Sequence, residues 1–122
     1  MHLQIHQREA GQVTILELEG RLTLGEESDA LKEKFKNLLD ASKNRIVVRL
    51  EKVVRVDSVG WGVVMHGVQS ARDAGGDLHL LKPSRTVRQL LELLGLMLRP
   101  DLLRIFVDEQ EALESFQRPR PP

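Results

Sequence analysis

The chain has 122 residues, and its 18 basic residues (Lys and Arg) balance its 18 acidic residues (Asp and Glu). This length suits one domain, and the zero net charge argues against a nucleic-acid binder or a membrane-surface module that depends on a strongly basic face. The absence of cysteine excludes disulfides, thiolate zinc sites and cysteine nucleophiles.

The first third of the chain predicts a β-hairpin followed by a helix. Alternation of apolar and polar residues around Leu3 and Ile5 predicts the first strand, and the second strand runs from Val13 to Gly20 after a short turn. The segment RLTLGEES is expected to form a loop. A helix is predicted from Glu26 to about Ser42, because its apolar residues fall on one face.

The middle of the chain predicts a strand, a corner and a second helix. The β-branched segment RIVVRL, residues 45–50, is typical of a central strand, and EKVVRV is interpreted as a connector. The next helix is predicted from about Gly60 to Ala74, and Gly75 and Gly76 end it.

The last third predicts two more strands, each followed by a helix. The strands are expected at Asp77–Lys82 and around Arg104–Val107; one helix begins at Pro83–Ser84, and Asp108 caps the other. Strand–helix–strand crossovers give parallel pairing. The predicted fold class is therefore α/β: a small mixed sheet with an N-terminal hairpin, packed against about four helices.

The sequence predicts one domain, residues 1–117, and a disordered tail, RPRPP, at residues 118–122. No apolar stretch approaches the ~20 residues of a membrane span, and the N-terminus MHLQIHQREA lacks the features of a secretory signal. We therefore expect a cytoplasmic protein without a membrane span.

The corner RVDSVGWGVV is the most unusual stretch of the chain. It places Asp57 and Ser58 at the carboxyl end of a strand, where the sites of open α/β sheets gather. A helix N-terminus favours an anion, so a phosphate on Ser58 would be tolerated locally while its charge would disfavour a docked partner. An acid or a serine before a helix is most often only a cap. The pair Gly60 and Gly62, together with Trp61, favours a partner-binding surface.

Other chemistry lacks the residues that it needs. Met65 stands where a dinucleotide fingerprint requires its third glycine, and Val56 replaces the first glycine of a nucleophile elbow. A receiver domain with Asp57 as phospho-acceptor would also need an acidic pair after the first strand and a lysine after the fifth, and neither is present. The four histidines lie on different elements, which argues against a metal site. No nucleophile can be paired with a base, so we expect no enzyme, no metal and no cofactor.

The segment RIVVRLEKVVRVDSVGWG resembles the signature of STAS domains, the anti-sigma-factor antagonists of bacteria. The segments ILELEGRLT, ARDAGGDLHLLKPSRTVRQLLELLGL and RIFVDEQEALESF also match in order and spacing, so the resemblance covers nearly the whole chain. The family fold is a small mixed sheet that is packed with helices and begins with a hairpin, which agrees with the elements predicted above.

The resemblance implies a binding module without catalytic activity that regulates sigma-factor-dependent transcription. Ser58 would be phosphorylated by a partner kinase that is also an anti-sigma factor. The unmodified protein would bind this kinase, the phosphorylated protein would release it, and a serine phosphatase would restore it. The implied partner-binding residues are Asp57, Val59, Gly60, Trp61, Gly62, Thr23, Pro83 and Ser84. The loop around Thr23 and the Pro83–Ser84 turn are expected to lie beside Asp57, at the corresponding ends of neighbouring strands.

Three positions depart from the family pattern. Val59 stands where a small residue is usual, Trp61 replaces Leu or Ile, and Thr23 replaces an acid found in several relatives; each can change which partner fits. An alternative stays open, in which Asp57 and Ser58 merely cap the helix. The domain would then be a constitutive scaffold in a stress-sensing or lipid-transport complex, or would associate with other STAS domains.

Overall fold

Residues 2–117, the part of the chain that this computed structural model describes, form five strands and four α-helices. The strands are β1 (Gln4–Ala10), β2 (Val13–Leu22), β3 (Arg45–Val56), β4 (Asp77–Leu81) and β5 (Ile105–Phe106). The helices are α1 (Glu26–Asp40), α2 (Ser58–Asp73), α3 (Arg85–Leu93) and α4 (Glu109–Glu114), and a 3₁₀ turn, Ser115–Gln117, follows α4. The tail predicted at residues 118–122 lies outside the described residues.

The strands form one sheet in the order β1-β2-β3-β4-β5. β1 and β2 pair antiparallel across a two-residue turn at Gly11 and Gln12, and each of the other neighbours pairs parallel. Parallel neighbours need a crossover, which the intervening helices supply. The arrangement confirms the predicted mixed α/β fold with β3 in the centre of the sheet.

β3 has 12 residues and is twice as long as predicted, because EKVVRV continues the strand instead of connecting it to the helix. Its second half pairs with the end of β2, where Leu22 lies opposite Val56. Its pairing with β4 ends earlier, where Arg49 lies opposite Leu81. β2 and β3 therefore project past the end of β4, and Val53, only 1% exposed, anchors this extension in the core.

Gly20 lies inside β2 and does not end it, which corrects the predicted boundary. Its φ is +113°, and the register between β2 and β3 shifts beside it. A Cβ at Gly20 would lie 2.1 Å from the carbonyl oxygen of His2, so the close approach of the N-terminal segment requires glycine here. β2 consequently continues to Leu22 and brings the following loop level with the end of β3.

Two apolar clusters lie on opposite faces of the sheet. The larger cluster packs α1, α2 and α3 against the face that carries Leu16 and Val48, and the smaller one packs α4 against the face that carries Ile15 and Val47. Neighbouring residues of a strand point to opposite faces, which explains how both faces acquire an apolar cover. Within residues 2–117, none of the helices combines the length and the apolar character needed to cross a membrane.

Candidate functional site

β3 gives way to α2 at Asp57, which is the N-cap of the helix. The extended backbone of Asp57 (φ −107°, ψ −178°) directs its carboxylate over the first turn, where Oδ1 accepts a hydrogen bond from the Gly60 N–H at 2.8 Å. The helix therefore begins at Ser58, two residues earlier than predicted. Because Asp57 supplies the cap, the hydroxyl of Ser58 is not needed for it.

The second carboxylate oxygen of Asp57 ties the corner to the loop between β2 and α1. Oδ2 accepts a hydrogen bond from the Leu24 N–H at 2.8 Å, and the Asp57 N–H donates to the Leu22 carbonyl at 3.3 Å. In the same loop the Thr23 carbonyl accepts the N–H of Ser28, in the first turn of α1. The structure thus places Thr23 beside the corner, and its part in partner binding stays a prediction.

The Asp57 carboxylate is ionised at neutral pH. Hydrogen bonds from the N–H groups of Gly60 and Leu24 lower the pKa of Asp57 below the usual value for aspartate, and the positive charge of Arg55 acts in the same direction. The corner therefore carries a fixed negative charge directly beside Ser58.

Ser58 occupies the first helical position of α2 and is exposed to solvent. At this position the unpaired N–H groups and the partial positive charge of the helix N-terminus favour an added anion. The hydroxyl can be reached by another protein, and a phosphate there would meet a favourable backbone environment and an unfavourable neighbouring carboxylate.

The two glycines of the corner have different structural roles. Gly60 is buried, and a Cβ at this position would lie 2.1 Å from the Leu22 carbonyl oxygen, so it allows the first turn of α2 to approach β2. Gly60 is therefore not exposed to a partner, which corrects the expectation that it forms part of the partner-binding surface. Gly62 is exposed, and a Cβ there would meet nothing within 4 Å. Gly62 borders a cavity of about 230 Å³ between α1 and α2, together with Lys32, Phe35, Val59, Val63 and His66.

Apolar side chains flank the corner. Val59 is 42% exposed, and Leu24, on the loop that Asp57 holds, is 71% exposed. Trp61 is half-buried, because it packs against the larger core cluster. Leu24 was not among the residues predicted from the sequence, although a leucine in the polar segment RLTLGEES, outside any apolar periodicity, is a signal for an exposed apolar side chain.

The structure does not bring Pro83 and Ser84 to the corner. The Ser84 N–H donates to the Leu50 carbonyl at 3.1 Å, so this turn lies beside the middle of β3. Asp57 follows seven residues later, about 23 Å further along the strand at roughly 3.3 Å per residue. The expectation that the turn lies beside Asp57 is wrong, because the extension of β2 and β3 carries the corner past the end of β4. Pro83 is buried, and the Ser84 hydroxyl caps α3 by accepting the Val87 N–H.

A second polar cluster joins β4 to the 3₁₀ turn. The Nδ1 atom of His79 lies 2.8 Å from the Ser115 Oγ, and the Nε2 atom lies 3.3 Å from the Asp77 Oδ2. The structure therefore brings a hydroxyl and an imidazole together, a contact that the sequence did not indicate. Ser115 is only 1% exposed, and its hydroxyl donates to the Ala112 carbonyl, so its oxygen is neither accessible nor oriented to give its proton to the imidazole. Among residues 2–117, no group of three potential metal ligands comes together.

Comparisons with known proteins find similarity over most of the chain. The profile of the family described as "Mlab, STAS domain" matches residues 5–103. A protein of Thermotoga maritima named as an anti-sigma factor antagonist is 29% identical over 84 residues, which are 69% of this chain and 72% of that protein.

Two solved structures share the fold. A crystal structure described as an anti-sigma factor antagonist from Thermotoga maritima superposes with a TM-score of 0.83 at 26% identity, covering 93% of this chain and 95% of that chain. The phosphorylated form of the Bacillus protein SpoIIAA superposes with a TM-score of 0.69 at 21% identity, covering 93% of this chain and 97% of that chain.

Proposed function

The chain belongs to the STAS domain family, and on this premise we propose that it is an anti-sigma factor antagonist whose partner binding is switched by phosphorylation of Ser58. In the unmodified state it binds an anti-sigma factor that is also a serine kinase, and sigma-factor-dependent transcription proceeds. A phosphate on Ser58 releases that partner, and a serine phosphatase reverses the modification. The protein acts in the cytoplasm as a binding module without catalysis of its own.

The position of Ser58 carries this proposal. Ser58 is exposed at the start of α2, and the neighbouring Asp57, not Ser58, caps the helix. A kinase can therefore reach the hydroxyl, and its modification breaks no hydrogen bond of the cap. The fold can stay as it is while the surface changes.

The charge of the corner explains how a phosphate changes that surface. A phosphoserine carries about −1.5 to −2 charges at neutral pH, and Asp57 beside it is already ionised, because its pKa is lowered by the N–H groups that it accepts. The helix N-terminus offsets part of this charge within the protein. A partner that covers the corner removes water from the remaining charge, and an unpaired buried charge is strongly unfavourable.

The exposed apolar side chains beside Ser58 increase the effect of a phosphate on partner binding. Val59, next to Ser58, is 42% exposed, and Leu24, bonded to the Asp57 carboxylate through its N–H, is 71% exposed. Burial of such side chains against a partner contributes roughly 25 cal/mol per Å² of apolar area. A new charge in the middle of an apolar contact prevents water from leaving, so it opposes the contribution that holds the partner.

The proposal is tested by the phosphorylation state of the protein in its native cells. We expect intact-mass and phosphopeptide spectra of the purified chain to show one phosphate, located on Ser58. Ser70, a partly exposed serine at the other end of the same helix, serves as the internal control and should stay unmodified. A phosphate on other residues, with Ser58 unmodified under conditions that release the partner, contradicts the proposal.

A constitutive scaffold is the second candidate, and an apolar surface away from Ser58 favours it. Leu93 and Leu98, at the end of α3 and just after it, are 84% and 89% exposed, and Leu94 is 48% exposed. A partner held by these leucines, or a second STAS domain docked there, would not contact the corner. Partner binding that is unaffected by a negative charge at Ser58 distinguishes this function from the switch.

A further inference from the structure

A second cavity lies at the edge of the sheet opposite to Ser58, where the parallel strands β3 and β4 begin. Its volume is about 220 Å³, compared with about 30 Å³ for one molecule of liquid water, so it can hold several waters or a small ion. The side chains that define it are Arg45, Asp77, His79, Arg104, Ser115 and Phe116. Arg45 and Asp77 are the first residues of their strands and lie opposite each other in the register.

Two arginines of this cavity are partly buried without a counter-ion. Within residues 2–117 neither Arg45 nor Arg104 forms an ion pair with a carboxylate; Arg45 donates to the side-chain oxygen of Gln12 at 3.0 Å, and Arg104 lies over the ring of Phe106 at 5.4 Å. The one carboxylate of the cavity, Asp77, is already paired with a third arginine.

That pairing leaves the cavity with excess positive charge. The Arg72 Nε atom lies 3.0 Å from the Asp77 Oδ1, and both side chains are largely buried. Arg72 therefore neutralises Asp77, and the charges of Arg45 and Arg104 remain uncompensated. Partly buried charges are normally paired, because removal from water is costly.

His79, a largely buried histidine, lines the same cavity. Its side chain is 2% exposed, and within the described residues its Nε2 atom has no hydrogen bond, although the Asp77 Oδ2 lies 3.3 Å away. The Ala112 carbonyl can only accept, so the Ser115 hydroxyl donates to it and the His79 Nδ1–H donates to the Ser115 Oγ. With the proton on Nδ1, the Nε2 atom of neutral His79 presents a lone pair; when Nε2 is protonated, it can donate to the Asp77 carboxylate and attract an anion in the cavity.

We propose that this cavity binds a small oxyanion, of the size of a phosphate or a short carboxylate, between the guanidinium groups of Arg45 and Arg104. A guanidinium presents its N–H donors in a planar fork that matches the oxygen spacing of carboxylate and phosphate groups. The bound oxyanion supplies the counter-charge that both arginines lack and brings a negative group close to His79.

Because His79 lies in the cavity, binding of the oxyanion and protonation of the His79 imidazole affect each other. The groups that face its ring are Asp77 on its own strand, Arg72 on α2, Arg104 before β5, Phe106 on β5, and Ser115 and Phe116 on the 3₁₀ turn. An added negative charge favours the imidazolium form, so the oxyanion binds more tightly as the pH falls and His79 takes up a proton.

Sulfate is the probe of choice, because its charge does not change between pH 5 and pH 8. We expect sodium sulfate, added to the ¹⁵N-labelled full chain, to shift the amide signals of Gly75, Gly76, His79 and Arg104 saturably at millimolar concentration, with sodium chloride of equal ionic strength as reference. Arg45→Gln and Arg104→Gln should each weaken binding by about tenfold or more, because a charge-assisted hydrogen bond is lost. A parallel titration with sodium acetate compares the affinity for a planar carboxylate with the affinity for a tetrahedral oxyanion.

Arg88→Gln is the matched control, because Arg88 is exposed on α3 and does not line the cavity; its affinity for sulfate should equal that of the unmodified protein. Shifts that chloride reproduces, or sulfate affinity unchanged in Arg45→Gln, overturn the proposal, and Arg45→Gln decides alone if Arg104→Gln does not fold. The oxyanion site is independent of the proposed switch at the other edge of the sheet, so Ser58→Asp should bind sulfate normally.

Discussion

The carboxylate of Asp57 accepts a hydrogen bond from the backbone N–H of Leu24 at 2.8 Å, across 33 positions of the sequence. The same carboxylate caps α2 through the N–H of Gly60. Asp57 thereby joins the loop after β2 to the start of α2, the two backbone segments next to Ser58. A phosphate on Ser58 would thus be added to a corner that is already held in place, which favours a switch that alters the surface without refolding.

Asp57→Asn should lower the melting temperature at pH 7. An asparagine has one side-chain acceptor oxygen, so it keeps one of the bonds to Gly60 and Leu24 and loses the other. These N–H groups lower the pKa of Asp57 in the folded protein. The ionised carboxylate therefore stabilises the fold fully above the ordinary aspartate pKa of about 3.9. This stabilisation is lost as the pH falls through the lowered pKa of the folded protein.

Melting curves of the two proteins should therefore converge below pH 4. Glu33→Gln also removes one negative charge, but from an exposed residue of α1. It should leave the melting temperature nearly unaltered over the same pH range. Equal melting temperatures of Asp57→Asn and the unmodified protein at pH 7 would show that the two hydrogen bonds do not stabilise the corner.

Gly60→Ala and Gly62→Ala should change stability in opposite directions. A Cβ at Gly60 would lie 2.1 Å from the Leu22 carbonyl, so the first turn of α2 must move, at a cost of about 1–3 kcal/mol. A Cβ at Gly62 meets nothing within 4 Å, so alanine should raise the free energy of unfolding by about 0.5–1 kcal/mol through its higher helix propensity.

Urea unfolding of the two variants measures both effects, and each variant is the control of the other. A Gly60→Ala protein that is as stable as the unmodified one would mean that the approach of α2 to β2 does not need glycine.

Ser58→Asp should weaken partner binding and leave the fold nearly unchanged. An acidic side chain at the first helical position is favoured by about 0.3–1 kcal/mol at a helix N-terminus, and repulsion from Asp57 opposes this gain, so the free energy of unfolding should change by less than about 1 kcal/mol. Its charge would nevertheless face the partner between the exposed Leu24 and Val59.

Pull-down from native cells with Ser58→Ala and Ser58→Asp as baits measures the effect. The alanine bait should retain the partner and the aspartate bait should lose most of it, whereas Ser70→Asp, with the same charge at the other end of α2, should retain it. Equal recovery with both Ser58 baits would favour the constitutive scaffold.

His79 should make the fold less stable in mild acid. Burial, the largest effect, together with the positive charges of Arg104 and Arg72, lowers the pKa of His79 against the opposing effect of Asp77. The unfolded chain therefore binds a proton more readily, so stability is full above the ordinary histidine pKa of about 6.5 and falls as the pH drops below it, by at most about 1.4 kcal/mol per pH unit.

His79→Asn cannot be protonated and can still donate to Ser115. It should be less stable at pH 7, because the stacking with Phe116 at 4.2 Å is lost, but its stability should vary less between pH 7 and pH 5. His66→Gln, a change at an exposed histidine of α2, should keep the full dependence on pH. A His79→Asn protein with the unmodified slope would assign that slope to other groups.

Several features could be predicted because their causes are local. Asp57 and Gly60 are three residues apart, which is the spacing between an N-cap side chain and the backbone N–H that it accepts. The start of α2 could therefore be predicted to within two residues. Gly75 ends the same helix with a φ of +89°, a conformation that glycine adopts readily because it has no Cβ. The apolar periods that define strands and helices likewise span only a few residues, and the fold class follows from their order.

Other features could not be predicted, because they depend on which distant segments meet. The strand character of EKVVRV requires β2 as a partner, and it moves the corner away from Pro83 and Ser84. The exposure of Leu24 and the burial of Gly60 depend on the same packing of β2 against α2.

The order of the elements, a cap at Asp57 or Ser58 and the helix stop at Gly75 follow from the amino-acid sequence, because each results from residues close together in the chain. How far the corner extends past the sheet, and the contact of His79 with Ser115, 36 positions away, depend instead on how distant elements pack. Contacts of this kind form when whole elements pack together, and the sequence around each residue does not indicate which distant residue it will contact.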